Sequence, residues 1–253
     1  MIRKLLLASL FCLPAWAGEP VVVNSGDTRT AVVELYTSEG CSSCPPADRW
    51  LSRLVEIPKD ELDVLALSFH VDYWDYLGWK DRFASAEYSK RQRALGANNQ
   101  QRTIYTPEFF VDGMEARGAK NILGKIQQAN LQPAPLSLEL TVSRDQTGLL
   151  LDLHSPGERN IADQIRLRYL VYENNLSTDV RRGENSGSIL HHQRVVRYMS
   201  PARNLQVDNH YRIPINPEWK PENLGVAVLV TSPGDRHYLQ ALHTPVASLL
   251  TSR

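Results

Sequence analysis

The chain has 253 residues, 42% of them hydrophobic and 22% charged, a globular composition with room for one large domain or two ordinary ones. Its 28 basic and 28 acidic side chains cancel, and the isoelectric point is about 7.1. That balance excludes an electrostatic nucleic-acid binder and a basic membrane-surface patch.

The first residues carry the pattern of an export signal. Arg3 and Lys4 give a positive start, Leu5 to Leu13 form a short apolar run, and Ala15-Trp16-Ala17 is a small-residue cleavage site. The run is too short to span a bilayer, and no later stretch approaches that length. Cys12 falls inside the signal and lacks the small preceding residue of a lipidation site, so it reads as removed. The expected product is periplasmic or secreted after cleavage near Ala17, has no membrane span, and retains two cysteines, Cys41 and Cys44.

Residues 18–30 read as a polar lead-in. Ala31 to Tyr36, AVVELY, is apolar and β-branched and reads as a buried strand. Pro46 to Val55 reads as a helix, with prolines in the first turn and Trp50, Leu51, Leu54 and Val55 at helical spacing. Leu62 to Phe69 is a second, almost wholly apolar strand of the kind buried on both faces of a parallel sheet. Together these make a βαβ unit with the cysteines at its first turn. Residues 70–103 form an insertion that opens on HVDYWDYLGWKD and becomes helical over Ser85 to Leu95. A strand over Glu108 to Val111 meets the hairpin signal Asp112-Gly113, returns over Met114 to Arg117, and is followed by a helix over Ala119 to Asn130. After the linker Gln132-Pro133-Ala134-Pro135 the texture changes to short strands between turns, the pattern of an all-β sandwich.

Cys41-Ser42-Ser43-Cys44 is the chemical signal in the chain. Such a pair can cycle between thiol and disulfide, hold a metal, or staple a turn. A staple across so small a loop constrains the unfolded state weakly, and a chain of this size does not need one. A thiolate at Cys41 would gain from the helix N-terminus behind it. Two features oppose that gain. Cys44 precedes Pro45, which disfavours helical backbone there and pushes the helix start toward Pro46. Glu39 also places a carboxylate two residues from Cys41.

The order strand, CxxC, helix, strand, Thr106-Pro107, hairpin, helix resembles the thioredoxin fold over about 100 residues. The resemblance implies an α/β thioredoxin-like domain over residues 18–130, followed by an all-β sandwich-like domain over residues 136–250. It also implies that Cys41 is the nucleophile, Cys44 the resolving thiol and Pro107 a cis-proline facing them. Glu34, a charge within AVVELY, would then be a proton relay to Cys44; the competing reading is an exposed face of the strand. The longer segments VVELYTSEGCSSCPPAD, FHVDYWDYLGWKD, YTPEFFVDG and GENSGSILHHQRVVR resemble an exported, thioredoxin-like family known mainly as a domain of unknown function.

His70, with Asp72, Tyr73 and Trp74, follows the second strand and would share the carboxyl end of the sheet with Cys41. It can steady a thiolate or move a proton. GENSGS, residues 183–188, is either a cap over the cysteines or a hairpin tip fixed by its glycines. The leading expectation is a thiol–disulfide oxidoreductase acting on a protein or small-molecule thiol or disulfide, with no cofactor and no nucleic-acid partner. The alternatives are a copper-binding or delivery protein using the two thiolates with His70 or His192, and a non-catalytic binding module with a structural disulfide. No phosphate-binding loop, serine triad or glycosidase carboxylate pair stands out.

Overall fold

A computed structural model describes residues 19–156 and 165–251; the segment read as an export signal, residues 1–17, lies outside them. Strands β1 (Val21–Asn24) and β2 (Ala31–Thr37) precede helix α1 (Pro45–Leu54). Strand β3 (Val64–His70), helix α2 (Ala86–Asn98), strands β4 (Glu108–Val111) and β5 (Met114–Glu115) and helix α3 (Ala119–Asn130) follow. The remainder is β6 (Glu139–Asp145), β7 (Gly148–His154), β8 (Arg166–Glu173), β9 (Leu176–Val180), β10 (Ser188–His192), β11 (Val195–Met199), β12 (Arg203–Asn204), β13 (Asp208–Ile213), β14 (Leu224–Thr231), β15 (Tyr238–Pro245) and helix α4 (Ala247–Thr251).

The βαβ unit forms as its apolar runs predict. β2 and β3 pair in parallel from Ala31↔Val64 to Thr37↔His70, and every residue of both is buried. Alternation along β2 divides its side chains between two layers. Val33 and Leu35 meet Leu51 of α1 and Ile122 and Ile126 of α3. Val32 and Tyr36 point the other way, toward Tyr88 and Leu95 of α2. β4 pairs antiparallel with the other edge of β2, and the chain turns at Asp112 and Gly113, both at positive φ, into β5.

The sheet does not stop at β3. Its free edge takes β11 in parallel at Ser68↔Val195, and β8, β14 and β15 continue outward. The result is one nine-stranded sheet in the order β15-β14-β8-β11-β3-β2-β4-β5, with β12 on β8. A four-stranded sheet, β1-β6-β7-β13, packs over the far half through Leu140, Leu151, Tyr169 and Val226. β9 and β10 form a separate hairpin.

This overturns the expected fold class, an α/β thioredoxin-like domain followed by an all-β sandwich-like domain. The protein is mostly β, with 39% strand against 22% helix, several sheets and four α-helices among the described residues. The physical reason is the β3–β11 edge. Strands from both halves of the sequence share one sheet, and Tyr36 and Phe69 share one apolar cluster with Leu170, Ala227 and Leu229. The lead-in also departs from its reading, since Val21–Asn24 pairs with β6.

Trp74 packs against the shared cluster and Trp219 lies in the core of the second sheet, so tryptophan fluorescence samples both halves. Urea unfolding followed by fluorescence and by circular dichroism is expected to give one coincident transition. Leu229→Ala should lower it by roughly 2–5 kcal/mol for both probes. Two separated transitions would contradict a shared core.

Candidate functional site

β2 ends at Thr37, and a tight turn carries the chain to the cysteines. The Gly40 N–H donates to Ser38 Oγ at 3.1 Å, and the Cys41 N–H donates to the Ser38 carbonyl at 3.2 Å. Cys41 and Cys44 form a disulfide with 5.4 Å between their Cα atoms. Cys44 caps α1: its carbonyl accepts the N–H groups of Ala47 and Asp48 at 2.9 and 3.1 Å. Contrary to expectation, Cys44 adopts helical backbone (φ −78°, ψ −38°) despite the following proline, and α1 begins at Pro45. Pro45 and Pro46 fill the first two helical positions, where a missing N–H costs the helix nothing. The same absence removes two donors from the helix end that faces the sulfurs. One donor does reach them: the Ser43 hydroxyl lies 3.4 Å from Cys41 Sγ, which carries no hydrogen and therefore accepts. Both cysteines are 0% exposed, although Ser42 and Ser43 between them are exposed.

Behind the pair lies a buried group of histidines and carboxylates. Asp48 sits one helical turn after Cys44 on the buried face of α1. His70, the last residue of β3, places Nδ1 2.6 Å from Asp81 Oδ2. Asp81 also accepts the backbone N–H groups of Glu39 and Phe83, each at 2.9 Å. The His70 ring stands edge-on to His192 of β10, with centroids 4.9 Å apart. His192 in turn lies between two acids, with Nε2 3.3 Å from Glu39 Oε1 and Nδ1 3.8 Å from Asp48 Oδ2. Neither contact is aligned as a hydrogen bond, and both His192 nitrogens, His70 Nε2, Glu39 Oε1 and Asp48 Oδ1 have no hydrogen-bond partner among the described residues. The other Glu39 oxygen accepts Trp79 Nε1 at 2.8 Å.

Burial pushes the His70 pKa down, but the Asp81 charge and hydrogen bond, with Asp48 and Glu39 nearby, more than reverse this and raise it. Burial pushes Asp81 up, and the His70 charge, its hydrogen bond and the two backbone N–H groups bring it below the ordinary carboxylate value. The two directions agree on a buried ion pair. Asp48 is raised, chiefly by burial, against the pull of His192 and His70.

The residues expected to share the site divide. His70 and the cysteines lie at the same end of the sheet, since Thr37 pairs with His70 and the CxxC turn follows Thr37. The Thr106–Pro107 peptide is cis, and Pro107 sits one residue beyond the Tyr36↔Glu108 pair. With Tyr105, Phe109 and Arg117 it lines a groove of about 510 Å³. Glu34 is not brought to the cysteines. Its side chain points to the α2 face, is buried, and is gripped by the Arg91 fork at 2.8 and 2.9 Å and by the hydroxyls of Tyr36 and Tyr238. Neither a relay to Cys44 nor an exposed strand face describes it; it is half of a buried ion pair.

Asp48, Asp81 and His192 are the members that pattern reading did not place here. Asp48 reads as a helix-start acid, Asp81 as one of several charges in the insertion, and His192 as a strand residue or metal ligand. The loop at residues 183–187 does cap the cysteines. Asn185 Nδ2 donates to the carbonyls of Glu39 and Cys41 at 2.8 and 3.0 Å, and Glu184 Oε2 accepts from the Ser42 N–H and hydroxyl at 3.0 and 2.7 Å. Among the described residues no three His, Cys, Asp or Glu side chains are arranged to hold a metal ion, and no helix is long and apolar enough to cross a membrane.

The His70–Asp81 pair sets a pH window. The raised His70 contributes stability in full below about pH 6.5, the unfolded value, and loses it as pH rises through the folded value. The lowered Asp81 contributes above about pH 3.9 and loses it as pH falls through its folded value. Asp81→Asn leaves a buried imidazole without its anion and should cost about 3–5 kcal/mol at pH 6 in urea unfolding. It should also move the His70 titration downward by NMR. An unmoved imidazole would remove the pair.

Comparison with solved structures finds two similar folds. One is the X-ray crystal structure of a protein from Agrobacterium tumefaciens, 24% identical, with TM-score 0.63 over 87% of this chain and 95% of that one. The other is HBP35 of Porphyromonas gingivalis, 17% identical, with TM-score 0.64 over 87% of this chain and 76% of that one. At these identities the likeness concerns fold alone. No curated protein matches the chain. Residues 32–231 match the family described as "Protein of unknown function (DUF1223)", and the chain belongs to that family.

Proposed function

We propose that the protein carries out thiol–disulfide exchange at Cys41–Cys44. The observation that carries this reading is the placement of the disulfide: it closes a four-residue loop between a buried strand end and a helix start, and the residues flanking it, Glu39 and Asp48, join His70 and His192 in one buried group. So short a bridge adds little to stability, and buried groups with shifted protonation, here His70, Asp48 and Asp81, gather where proton transfer is needed. The reading rests on this local geometry and not on a fold class. The pattern at residues 1–17 supports an oxidising compartment for the reaction, periplasmic or extracellular.

With the pair oxidised, a partner thiolate attacks Cys41 Sγ, the Cys41–Cys44 bond breaks, and Cys44 leaves as a thiolate that takes up a proton. The partner's second thiolate then attacks its own sulfur in the mixed disulfide and releases Cys41 as a thiolate, which is protonated in turn. Two electrons pass to the protein, the partner leaves as a disulfide, and the two protons it gave up are matched by the two now on Cys41 and Cys44. The reverse sequence reduces a partner disulfide, and the relative potentials set the direction. On this reading the Ser43 hydroxyl, 3.4 Å from Cys41 Sγ, steadies a thiolate directly, and His70 acts from the buried group behind the turn.

Complete burial of both sulfurs favours one competing reading, a locked staple. Trapping separates the two. Cys44→Ala should accumulate mixed disulfides through Cys41, and Cys41→Ala should accumulate none, when each is isolated under acid quench and resolved on non-reducing gels. Equal trapping by both, or by neither, would contradict exchange with a nucleophilic Cys41.

A further inference from the structure

The chain itself occupies the approach to the disulfide. Three main-chain groups beside Cys41 face the β9–β10 loop: the carbonyls of Glu39 and Cys41 and the N–H of Ser42. Each is already satisfied. Asn185, 8% exposed, gives both hydrogens of its amide to the two carbonyls, and the Glu184 carboxylate takes the Ser42 N–H together with the Ser42 hydroxyl. Glu39 to Ser42 form a turn, and two donors and one acceptor set against it are groups that a second main chain also carries, N–H to carbonyl and C=O to N–H.

The loop that supplies these groups is held at its own ends. The Gly187 N–H donates to the Val180 carbonyl at 2.7 Å, and Ser186 donates through its hydroxyl to the Arg181 carbonyl at 3.0 Å. Gly183 and Gly187 both lie at positive φ, 74° and 82°, where a side chain would be strained. A Cβ at Gly183 would also stand 3.1 Å from Trp79 Cβ, so the loop leans on the segment that follows β3. That segment and β10 expose large apolar groups beside the cap: Tyr76 is 81% and Ile189 65% exposed. With the loop in this position both cysteines have no exposed surface, and exchange requires the turn to be uncovered.

We propose that the loop spanning residues 183–187 is a displaceable cap seated in the main-chain site of the substrate, and that the substrates of Cys41–Cys44 are polypeptide thiols or disulfides whose backbone replaces the hydrogen bonds of Asn185 and Glu184. The proposal rests on the exchange reading. A polypeptide recovers on arrival the bonds that opening breaks, and it can cover Tyr76 and Ile189. A small dithiol can do neither and must wait for the cap to open unaided.

The test compares reduction of the oxidised full-length protein by dithiothreitol and by a reduced, unfolded polypeptide carrying two cysteines, with rates corrected for thiolate fraction. For the wild type the polypeptide should be the faster reductant. Asn185→Ala and Glu184→Ala should each speed dithiothreitol about tenfold, the effect of one or two lost hydrogen bonds, and so shrink the polypeptide's advantage. Glu184 is exposed and its replacement leaves the core untouched, so it carries the test alone if Asn185→Ala does not fold. Dithiothreitol rates unchanged in Glu184→Ala, or a wild type that reacts equally with both reductants, would overturn the cap. A disulfide that neither reductant opens in any folded variant, yet both open in denaturant, would instead overturn the exchange reading.

Discussion

The β3–β11 edge is the constraint on which the rest of the molecule depends. It is short: one paired position, Ser68↔Val195, and a Ser68 N–H donated to the Arg194 carbonyl at 2.9 Å. Its consequences follow from the two residues before it. β10 ends at His192, and only Gln193 and Arg194 separate it from β11, so docking β11 beside β3 fixes where β10 can lie. Arg194 takes a positive φ of 56°, and its N–H is held by the Asn174 side chain at 3.1 Å. His192 is thereby set against His70 at the end of β3, and the loop between β9 and β10 reaches the turn that precedes α1. A nonlocal strand pairing thus assembles a site from segments more than 140 residues apart.

The electrostatics of that site differ from those of a bare helix N-terminus. Pro45 and Pro46 withhold the N–H groups that would otherwise face a thiolate. Glu39 puts a carboxylate two residues from Cys41, the His70–Asp81 pair is neutral as a whole, and the Ser43 hydroxyl lies 3.4 Å from Cys41 Sγ. Side chains from β3, α1, β10 and the segment before α2 thus meet in one buried group beside the cysteine turn. Burying this many ionisable groups is costly unless they are paired, and His192 is incompletely paired among the described residues.

The local elements were legible because their signals are local. The β2 and β3 runs, the helix expected over Ser85 to Leu95 and the hairpin at Asp112-Gly113 all form close to where periodicity and turn chemistry put them, with Ser85 serving as the cap of α2. The cis Thr106–Pro107 peptide was expected through the resemblance to the thioredoxin fold, and His70 stood out as a polar residue closing an apolar strand. The fold class was not, because nothing in Val195-Val196 records which edge that strand will join. ILHHQRVVRYM reads as one strand, yet it breaks at Arg194, whose left-handed backbone has no glycine or proline to announce it. Glu34 was misplaced because Arg91, the partner that makes its burial tolerable, lies on a different element. Asn185 was visible only as part of a glycine-rich loop, since its two carbonyl partners belong to the other half of the chain.

The most direct test of exchange is a redox titration of the folded wild-type protein in glutathione and dithiothreitol buffers, with the state of Cys41–Cys44 read by mass after alkylation. Exchange predicts reversible titration, coincident from both directions, within the range of cellular thiol couples, roughly −180 to −270 mV. A bridge that remains oxidised until well below about −300 mV, or opens only as the protein unfolds, would mark it as structural and contradict the account.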